Sequence, residues 1–452
     1  MGTAKENFTG KRAKSVLAYN QSADFEALRE YGKQVRDQTI ADMPALLQQF
    51  SDNATAAGTT VLWARNSARA AEFIATIARH HAVKSAVKSK SMASEEIALN
   101  ATLQAAGVEV VETDLGEFII QLAGESPSHI IAPAVHKSRA EVSDLFAEHL
   151  SVQTNDIPTL TAAARAHLRA KFFNADMGIS GANFLIADSG SALIVTNEGN
   201  GRMTTTLPRV HITLAGIDKV IPRLADLPQL LTLLTHSATG QQMSNYISMT
   251  TGARRATGGE GPEHTYIVLL DNGRSRLRHS EYSEMLRCIR CGACMNHCPV
   301  YHNIGGHAYG SVYMGPMGQV LTPAMFAGVE NTSAAKDTLE LPYAATLCGA
   351  CEVACPVKIP LPKLMRRLRA ERVRQQLSSP LDQLFIKAWS FCALRPRLYA
   401  FVTQLLLRVA HWRGGSQRRI HVQWGLGSWF NGRDLSIPSR LTFRQIWHKL
   451  KQ

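Results

Sequence analysis

Hydrophobic and polar positions along the first two-thirds of the chain switch repeatedly between two periods. Short apolar runs rich in β-branched residues predict strands over residues 60–64, 86–89, 108–111 and 129–132. Between them, apolar positions recur every three or four residues over 68–80, 94–106 and 117–122, which predicts helices, the second stopped by Gly107. Further strands are predicted at 182–187 and 192–196, joined by a turn at Asp188-Ser189-Gly190, then at 211–214 and 266–270. Strands alternating with helices in this way argue for a mostly parallel sheet with helices on both faces.

Length changes this picture only by allowing more than one domain: 452 residues leave room for about three domains of ordinary size. Charge changes it more. The net charge is +13, yet from Lys358 onward there are 19 Lys/Arg against Glu371, Asp382 and Asp434, a net +16 that leaves −3 for everything before. The same tail carries Trp389, Trp412, Trp424, Trp429 and Trp447. Basic residues interleaved with aromatics suit nucleic acid, a membrane surface or an acidic partner. No nucleic-acid recognition module is present in the sequence, so a helix-rich docking tail for protein or lipid is the expectation. The most apolar run there, 400–407, ends at Arg408, far short of the ~20 residues that span a bilayer. No apolar signal segment follows Met1-Gly2-Thr3-Ala4-Lys5, and metal-binding rather than bridged cysteines point to the cytoplasm.

The chemistry lies in the cysteines. Cys288-x2-Cys291-x2-Cys294-x3-Cys298, followed by Pro299, has the bacterial ferredoxin spacing for a [4Fe–4S] cluster. A second run, Cys348-x2-Cys351-x3-Cys355-Pro356, repeats the last three-quarters of that motif, with Ala345 where a first cysteine would stand. A zinc site would pair two CxxC knuckles or use histidines, and a disulfide framework belongs to small secreted domains. In two-cluster ferredoxins the fourth cysteine of each run crosses to the other cluster. The first cluster, [4Fe–4S], is therefore expected on Cys288, Cys291, Cys294 and Cys355. The second is expected on Cys298, Cys348 and Cys351, as a [3Fe–4S] cluster or as a [4Fe–4S] cluster with a non-cysteine fourth ligand. Cys392, in an apolar helical stretch, is the other candidate for that fourth position, against the plain reading of a packed thiol. Arg287, Arg290 and Lys358 flank the runs and are placed to offset cluster charge, while Gly292 and Gly349 would let backbone N–H groups reach the sulfurs.

Two stretches of the α/β region could bind a ligand. Lys88-Ser89-Lys90-Ser91-Met92 leads from a strand end into a helix start, which suits an anion; the plainer reading is a basic turn with Ser91 or Ser94 as a helix cap. Asn197-Glu198-Gly199-Asn200-Gly201-Arg202 follows a strand and holds a carboxylate in a glycine-permitted turn, so Glu198 is either a general base or nucleophile or part of a polar loop. Neither GxGxxG after a strand nor GxxxxGK[ST] occurs, so nucleotide binding has no support.

Taken together, Lys88-Ser89-Lys90-Ser91-Met92, Glu112-Thr113-Asp114-Leu115-Gly116-Glu117, Pro127-Ser128-His129-Ile130, Thr196 through Arg202, Gly305-Gly306-His307-Ala308-Tyr309-Gly310 and Gly315-Pro316 resemble the lactate utilization protein B family over nearly the whole chain. The seven-cysteine pattern, its second run one short, resembles that family's too. The resemblance implies a helical extension over 1–55 and a lactate-utilization α/β domain over 56–275, with a sheet like those of CoA-transferases and ribose-5-phosphate isomerases. An α-helical ferredoxin-type domain over 276–375 and a basic C-terminal region over 376–452 complete it. It implies an electron-transfer component, rather than a complete enzyme alone, of a cytoplasmic complex that oxidises L-lactate to pyruvate. The expected partners are a protein with cysteine-rich repeats and a smaller protein sharing the N-terminal domain. The electron acceptor is expected to be quinone-linked, with peripheral contact at the inner face of the membrane. Rival readings are an electron-transfer subunit for another 2-hydroxy acid and a cluster-bearing redox or ligand sensor.

Overall fold

The computed structural model of the chain describes residues 9–10, 12–17, 24–255, 259–326, 337–377, 379–414, 419–420 and 434–450. Trp424, Trp429 and the Met1-to-Lys5 segment lie outside these residues. The chain forms two compact units, Met1–Glu371 and Arg372–Gln452.

The first unit is built on a six-stranded sheet. In chain order the strands of this unit are β1 (Thr59–Ala64), β2 (Ser85–Lys88), β3 (Glu109–Glu112), β4 (Met177–Ser180), β5 (Phe184–Ile186), β6 (Ser191–Thr196), β7 (Val210–Gly216), β8 (Val220–Ile221), β9 (Tyr246–Thr250) and β10 (His264–Leu270). The main sheet runs β1-β10-β7-β4-β2-β3 and every pairing in it is parallel. Alternation along its strands divides two cores, as a period of two requires. Ala86 and Val110 pack with Ile74, Ile77 and Leu103 on one side, while their neighbours Val87 and Val111 pack with Phe118, Phe146, Leu160 and Phe172 on the other. The expected parallel sheet with helices on both faces is thus present. A smaller mixed sheet, β8-β5-β6-β9, contains the expected hairpin between β5 and β6. Its turn is backed by the helix Phe25–Ala56, and a Cβ on Gly190 would sit 2.3 Å from the Ala54 nitrogen.

Three expectations fail for physical reasons. Residues 129–132 form a turn, not a strand: the buried His129 Nδ1 accepts hydrogen bonds from the Ile131 and Ala132 N–H groups, both at 3.0 Å, so these groups are not free for a ladder. The helix expected over 94–106 is two, Met92–Glu96 and Leu99–Ala105, with Ala98 left-handed at φ 49° between them. Just before this break Glu95 reaches Lys88 and the adjacent Glu96 reaches Arg274. The strand at 182–187 keeps only Phe184–Ile186. Strand β4 was not legible because its Met-Gly-Ile-Ser sequence is short and holds a glycine. Close packing explains that glycine, since a Cβ on Gly178 would lie 1.9 Å from the Thr204 carbonyl oxygen.

The N-terminal helix Phe25–Ala56 is less an extension than a strut through the unit. The Arg36 guanidinium is buried and donates to the carbonyls of Val220 at 2.8 Å and Leu286 at 2.7 Å. Arg29 donates through Nε and Nη2 to the Cys355 carbonyl at 3.1 and 2.9 Å. The helix therefore joins the small sheet to both cysteine segments, with buried carbonyls satisfied by charged donors.

The second unit contains helices Pro380–Ala393 and Pro396–Gly414, a two-residue antiparallel ladder, Arg419–Ile420 with Leu435–Ser436, and the helix Phe443–Leu450. Ser379 caps the first of these helices. Phe385, Trp389, Phe401 and Trp412 are exposed on the helices. Among the described residues, no helix is long and apolar enough to cross a membrane.

Candidate functional site

The two cysteine segments fold as local repeats. In the first, Arg290 and Gly292 both have left-handed backbones, at φ 61° and 74°, on either side of Cys291. In the second, Leu347 and Gly349 do the same around Cys348, at 58° and 85°. Left-handed non-glycine residues are strained and collect where function demands a special turn. Here the turn aims the Ala293 N–H at the Cys291 sulfur and the Ala350 N–H at that of Cys348. The cysteines that precede proline match as well: Cys298 accepts from the Tyr301 N–H at 3.5 Å and Cys355 from the Ile359 N–H at 3.3 Å. Such N–H donors favour thiolate and tune any metal bound to it. Ala345 stands where the repeat has Cys288.

Chain folding sorts the seven thiols into two groups. Cys288, Cys291, Cys294 and Cys355 line one small apolar cavity with Ile130, Met317 and Val357. Burial, then repulsion from Cys355, holds the Cys291 thiol far above its ordinary range; burial and Cys288 do the same for Cys294, and Cys355 is pushed up to about 11, chiefly by burial. Cys298, Cys348 and Cys351 form the other group: the Cys351 thiol is pushed to about 12 by burial and by its two neighbours. Cys294 also feels Cys351, so the groups adjoin. Thiols crowded into an apolar pocket resist becoming thiolates unless a metal binds them, and this soft all-sulfur donor set fits an iron–sulfur cluster. The groups differ in access, since Cys348 is exposed whereas Cys291 and Cys355 are buried. Cys392 lies in the second unit, on the helix Pro380–Ala393.

The flanking cations divide differently from expectation. Lys358 is paired with Glu26 and Glu30, both at 2.7 Å, and Arg287 with Asp37, so these two hold the N-terminal helix. Arg290 lies in electrostatic reach of Cys288, joined there by Lys219 and Arg36, which the sequence reading missed. Arg290 is held by Asp218 at 3.2 Å, and Asp218 also accepts from Arg274 Nε at 2.6 Å. Arg274 grips Glu96 through Nη1 and Nη2 at 2.9 and 2.7 Å, and Tyr313 donates to the same carboxylate at 2.6 Å. This buried chain ties the α/β core to the first cysteine segment.

Beyond Arg290 opens a cavity of about 630 Å³ at the carboxyl ends of β2, β4 and β7, the edge at which parallel sheets present ligand sites. Both stretches flagged in the α/β region reach it, although two residues of the first, Lys88 and Ser91, are structural. Lys88 is buried against Glu95 at 2.8 Å and Glu112 at 2.7 Å, and Ser91 caps the helix Met92–Glu96 as the plainer reading had it. Lys90 lines the cavity, and its Nζ, though shielded from solvent, has no hydrogen bond; its nearest anion is Glu117 at 3.9 Å. Glu198 also lines it and accepts the Leu115 N–H at 3.1 Å, its carboxyl raised by burial and by Asp114. Burial lifts Glu117, 3.9 Å from the Lys90 ammonium, to about 8 and lowers Lys90. Asp218 and Lys219 were findable as a polar pair just beyond a predicted strand. Arg274 carried no local signal, and Asn200 lay in the flagged stretch Asn197 to Arg202, where only Glu198 was given a role.

Residues 47–270 match the LUD domain family and residues 284–359 the 4Fe-4S dicluster domain family. The chain is 38% identical over 456 residues to the uncharacterized electron transport protein YkgF of Escherichia coli (strain K12), covering 100% of this chain and 93% of that one. It is 39% identical over 449 residues to lactate utilization protein B of Lysinibacillus sphaericus (strain C3-41), covering 99% and 92%. With the protein of the same name from Bacillus cereus (strain B4264) it shares 40% over 440 residues, covering 96% and 90%. With both domains in place and identity sustained along nearly its full length, the chain belongs to the lactate utilization protein B family.

Proposed function

We propose that the chain is the iron–sulfur electron-transfer subunit of a cytoplasmic complex that oxidises L-lactate to pyruvate. Cys288, Cys291, Cys294 and Cys355 would hold a [4Fe–4S] cluster, and Cys298, Cys348 and Cys351 a second cluster of [4Fe–4S] or [3Fe–4S] type. When bound, such clusters take up and release single electrons. The observation that carries this reading is where the thiols lie, with that of Cys355 among those of the first segment and that of Cys298 near Cys348 and Cys351, which supports crossed ligation. Crossed ligation would set two carriers side by side. Lactate gives up two electrons on becoming pyruvate, and two one-electron carriers in one chain match that number.

The protein's own residues supply direction and tuning. The first group is walled by apolar side chains and flanked by Arg290, Lys219 and Arg36, whose positive charge favours the reduced state. The second reaches the surface at Cys348, where a partner could take electrons away. The partners would be a protein with cysteine-rich repeats and a smaller one sharing the N-terminal domain. Onward transfer would go to a quinone-linked acceptor at the inner face of the membrane.

EPR spectra of the complex, co-expressed and purified without oxygen, test the reading before and after L-lactate is added. Reduced-cluster signals should appear with lactate. Clusters that dithionite reduces and lactate does not would overturn it. That outcome would favour a redox sensor, a reading to which the exposed Cys348 and the three-thiol second group also lend themselves.

A further inference from the structure

Away from the large cavity and the cysteines, three metal-ligating side chains converge from separate segments. Glu125 follows the helix Leu115–Leu122, His136 precedes the helix Arg139–Leu150, and His307 opens a 3-10 turn between the two cysteine runs. Each offers a ligand atom within 4.8 Å of those of the other two. The two imidazole rings stand 4.6 Å apart at 71°, and His136 Nε2 lies 2.8 Å from a Glu125 oxygen. Bonds of ~2.0–2.1 Å to one tetrahedral ion put ligand atoms about 3.4 Å apart. Side-chain shifts of roughly an ångström would close the site on such an ion.

The hydrogen bonds around both rings suit metal ligands. His307 Nε2 donates to the Ser126 carbonyl at 2.7 Å, so the neutral ring carries its lone pair on Nδ1. His136 Nδ1 lies 2.6 Å from Ser128 Oγ, whose own proton can go to the Pro133 carbonyl at 3.0 Å. The serine oxygen then accepts the Nδ1–H, leaving the His136 Nε2 lone pair on the side of Glu125. Metal-binding histidines are held in this way, their second N–H given to a fixed acceptor that sets tautomer and ring orientation. Two imidazoles and a carboxylate suit zinc, whereas magnesium and calcium take oxygen ligands. Glu125 and His307 are exposed, which leaves room for water as a fourth ligand. Lys137 holds the other Glu125 oxygen and competes with the ion, so binding is reversible.

We propose that Glu125, His136 and His307 form a zinc site that pins the turn after the helix Leu115–Leu122 to the segment between the cysteine runs. Its position links it to the second cysteine group. Ser128, which orients His136, accepts the Tyr301 hydroxyl at its carbonyl, and the Tyr301 N–H donates to the Cys298 sulfur. An ion at Glu125, His136 and His307 would stiffen that joint. The site uses none of the seven clustered cysteines, so it stands or falls independently of electron relay.

Zinc titration of the full chain, purified without oxygen with its clusters, against a competing chromophoric chelator is the test. One zinc ion per chain should bind with iron content unchanged, and magnesium should not displace it. Ser128→Ala removes only the partner that orients His136 and should weaken zinc by roughly tenfold. His307→Ala and Glu125→Gln, which remove ligands, should weaken it at least as much. Zinc should also raise the melting temperature of the wild type and leave that of His307→Ala where it was. Iron content and circular dichroism report that each variant is folded, and Glu125→Gln changes an exposed side chain without changing its size. Three outcomes would overturn the proposal: no zinc bound at one equivalent, zinc taken up only as iron is lost, or affinity unchanged in both His307→Ala and Glu125→Gln, which would mean an adventitious ion only.

Discussion

Arg274 offers the sharpest physical test of how the α/β core is coupled to the cysteine segments. Its side chain is 2% exposed and lies between Glu96 and Asp218, themselves 7% and 1% exposed. Arg274→Met keeps the volume, takes from the buried Glu96 its ion pair and leaves the buried Asp218 with the Arg290 pair at 3.2 Å. Removing one partner of a buried pair costs about 3–5 kcal/mol, mainly because the remaining charge is left uncompensated. Unfolding entropy of about 2.1 cal/mol/K per residue over Met1–Glu371 comes to roughly 0.8 kcal/mol/K, so the melting temperature should fall by about 4–6 °C. Burial pushes both carboxyls up, and Arg274 more than offsets it, holding each below its ordinary range. Their contribution is therefore complete above the unfolded value of about 4 and is lost as pH falls through the folded values. The gap between wild type and variant should be widest near neutral pH and close in acid. Glu96→Gln added to Arg274→Met should recover part of the loss by removing the stranded charge. Thermal unfolding followed by circular dichroism decides it. A fall below about 1 °C, or a double variant no more stable than the single, would refute the reasoning.

Other perturbations probe the cysteine segments and their contacts. Cys291→Ala should lower iron content by roughly half and abolish lactate-dependent reduction, with the α/β sheet intact by circular dichroism; normal iron and normal turnover would count against ligation by the first group. Gly306→Ala would put a Cβ 1.9 Å from the Ser128 carbonyl oxygen, an overpacking cost of about 1–3 kcal/mol that should lower the melting temperature by roughly 1–4 °C. An unshifted midpoint would mean that the contact yields freely. Cys392→Ala should leave iron content and spectrum unchanged, as for a cysteine that packs on an apolar helix, and lost iron would make it a ligand.

Reading the sequence alone went furthest where the information is local. Strands β1, β3, β6, β7 and β10 were visible because side-chain alternation and β-branching act within a few residues. Cysteine spacing was visible for the same reason: the turn that aims an N–H at each sulfur is built within three or four residues, and it recurs around Cys291 and Cys348. Even the grouping of Cys355 with the first segment could be anticipated, because spacing before the proline directs that thiol across. Long-range competition for partners decided the rest. Arg287 and Lys358 stand beside the cysteines in sequence, yet carboxylates on the helix Phe25–Ala56 take them, while Lys219 and Arg36 come to Cys288 from far away. Residues 129–132 have a strand's alternation, and a buried histidine folds them into a turn that places Ile130 at both cavities. Lys90, Glu198, Lys219 and Arg290 span two hundred residues and meet only at the carboxyl edge of the parallel sheet. Local preferences choose the elements and the ligand turns; which charges are buried together depends on desolvation and pairing across the whole fold, and no window of sequence contains that balance.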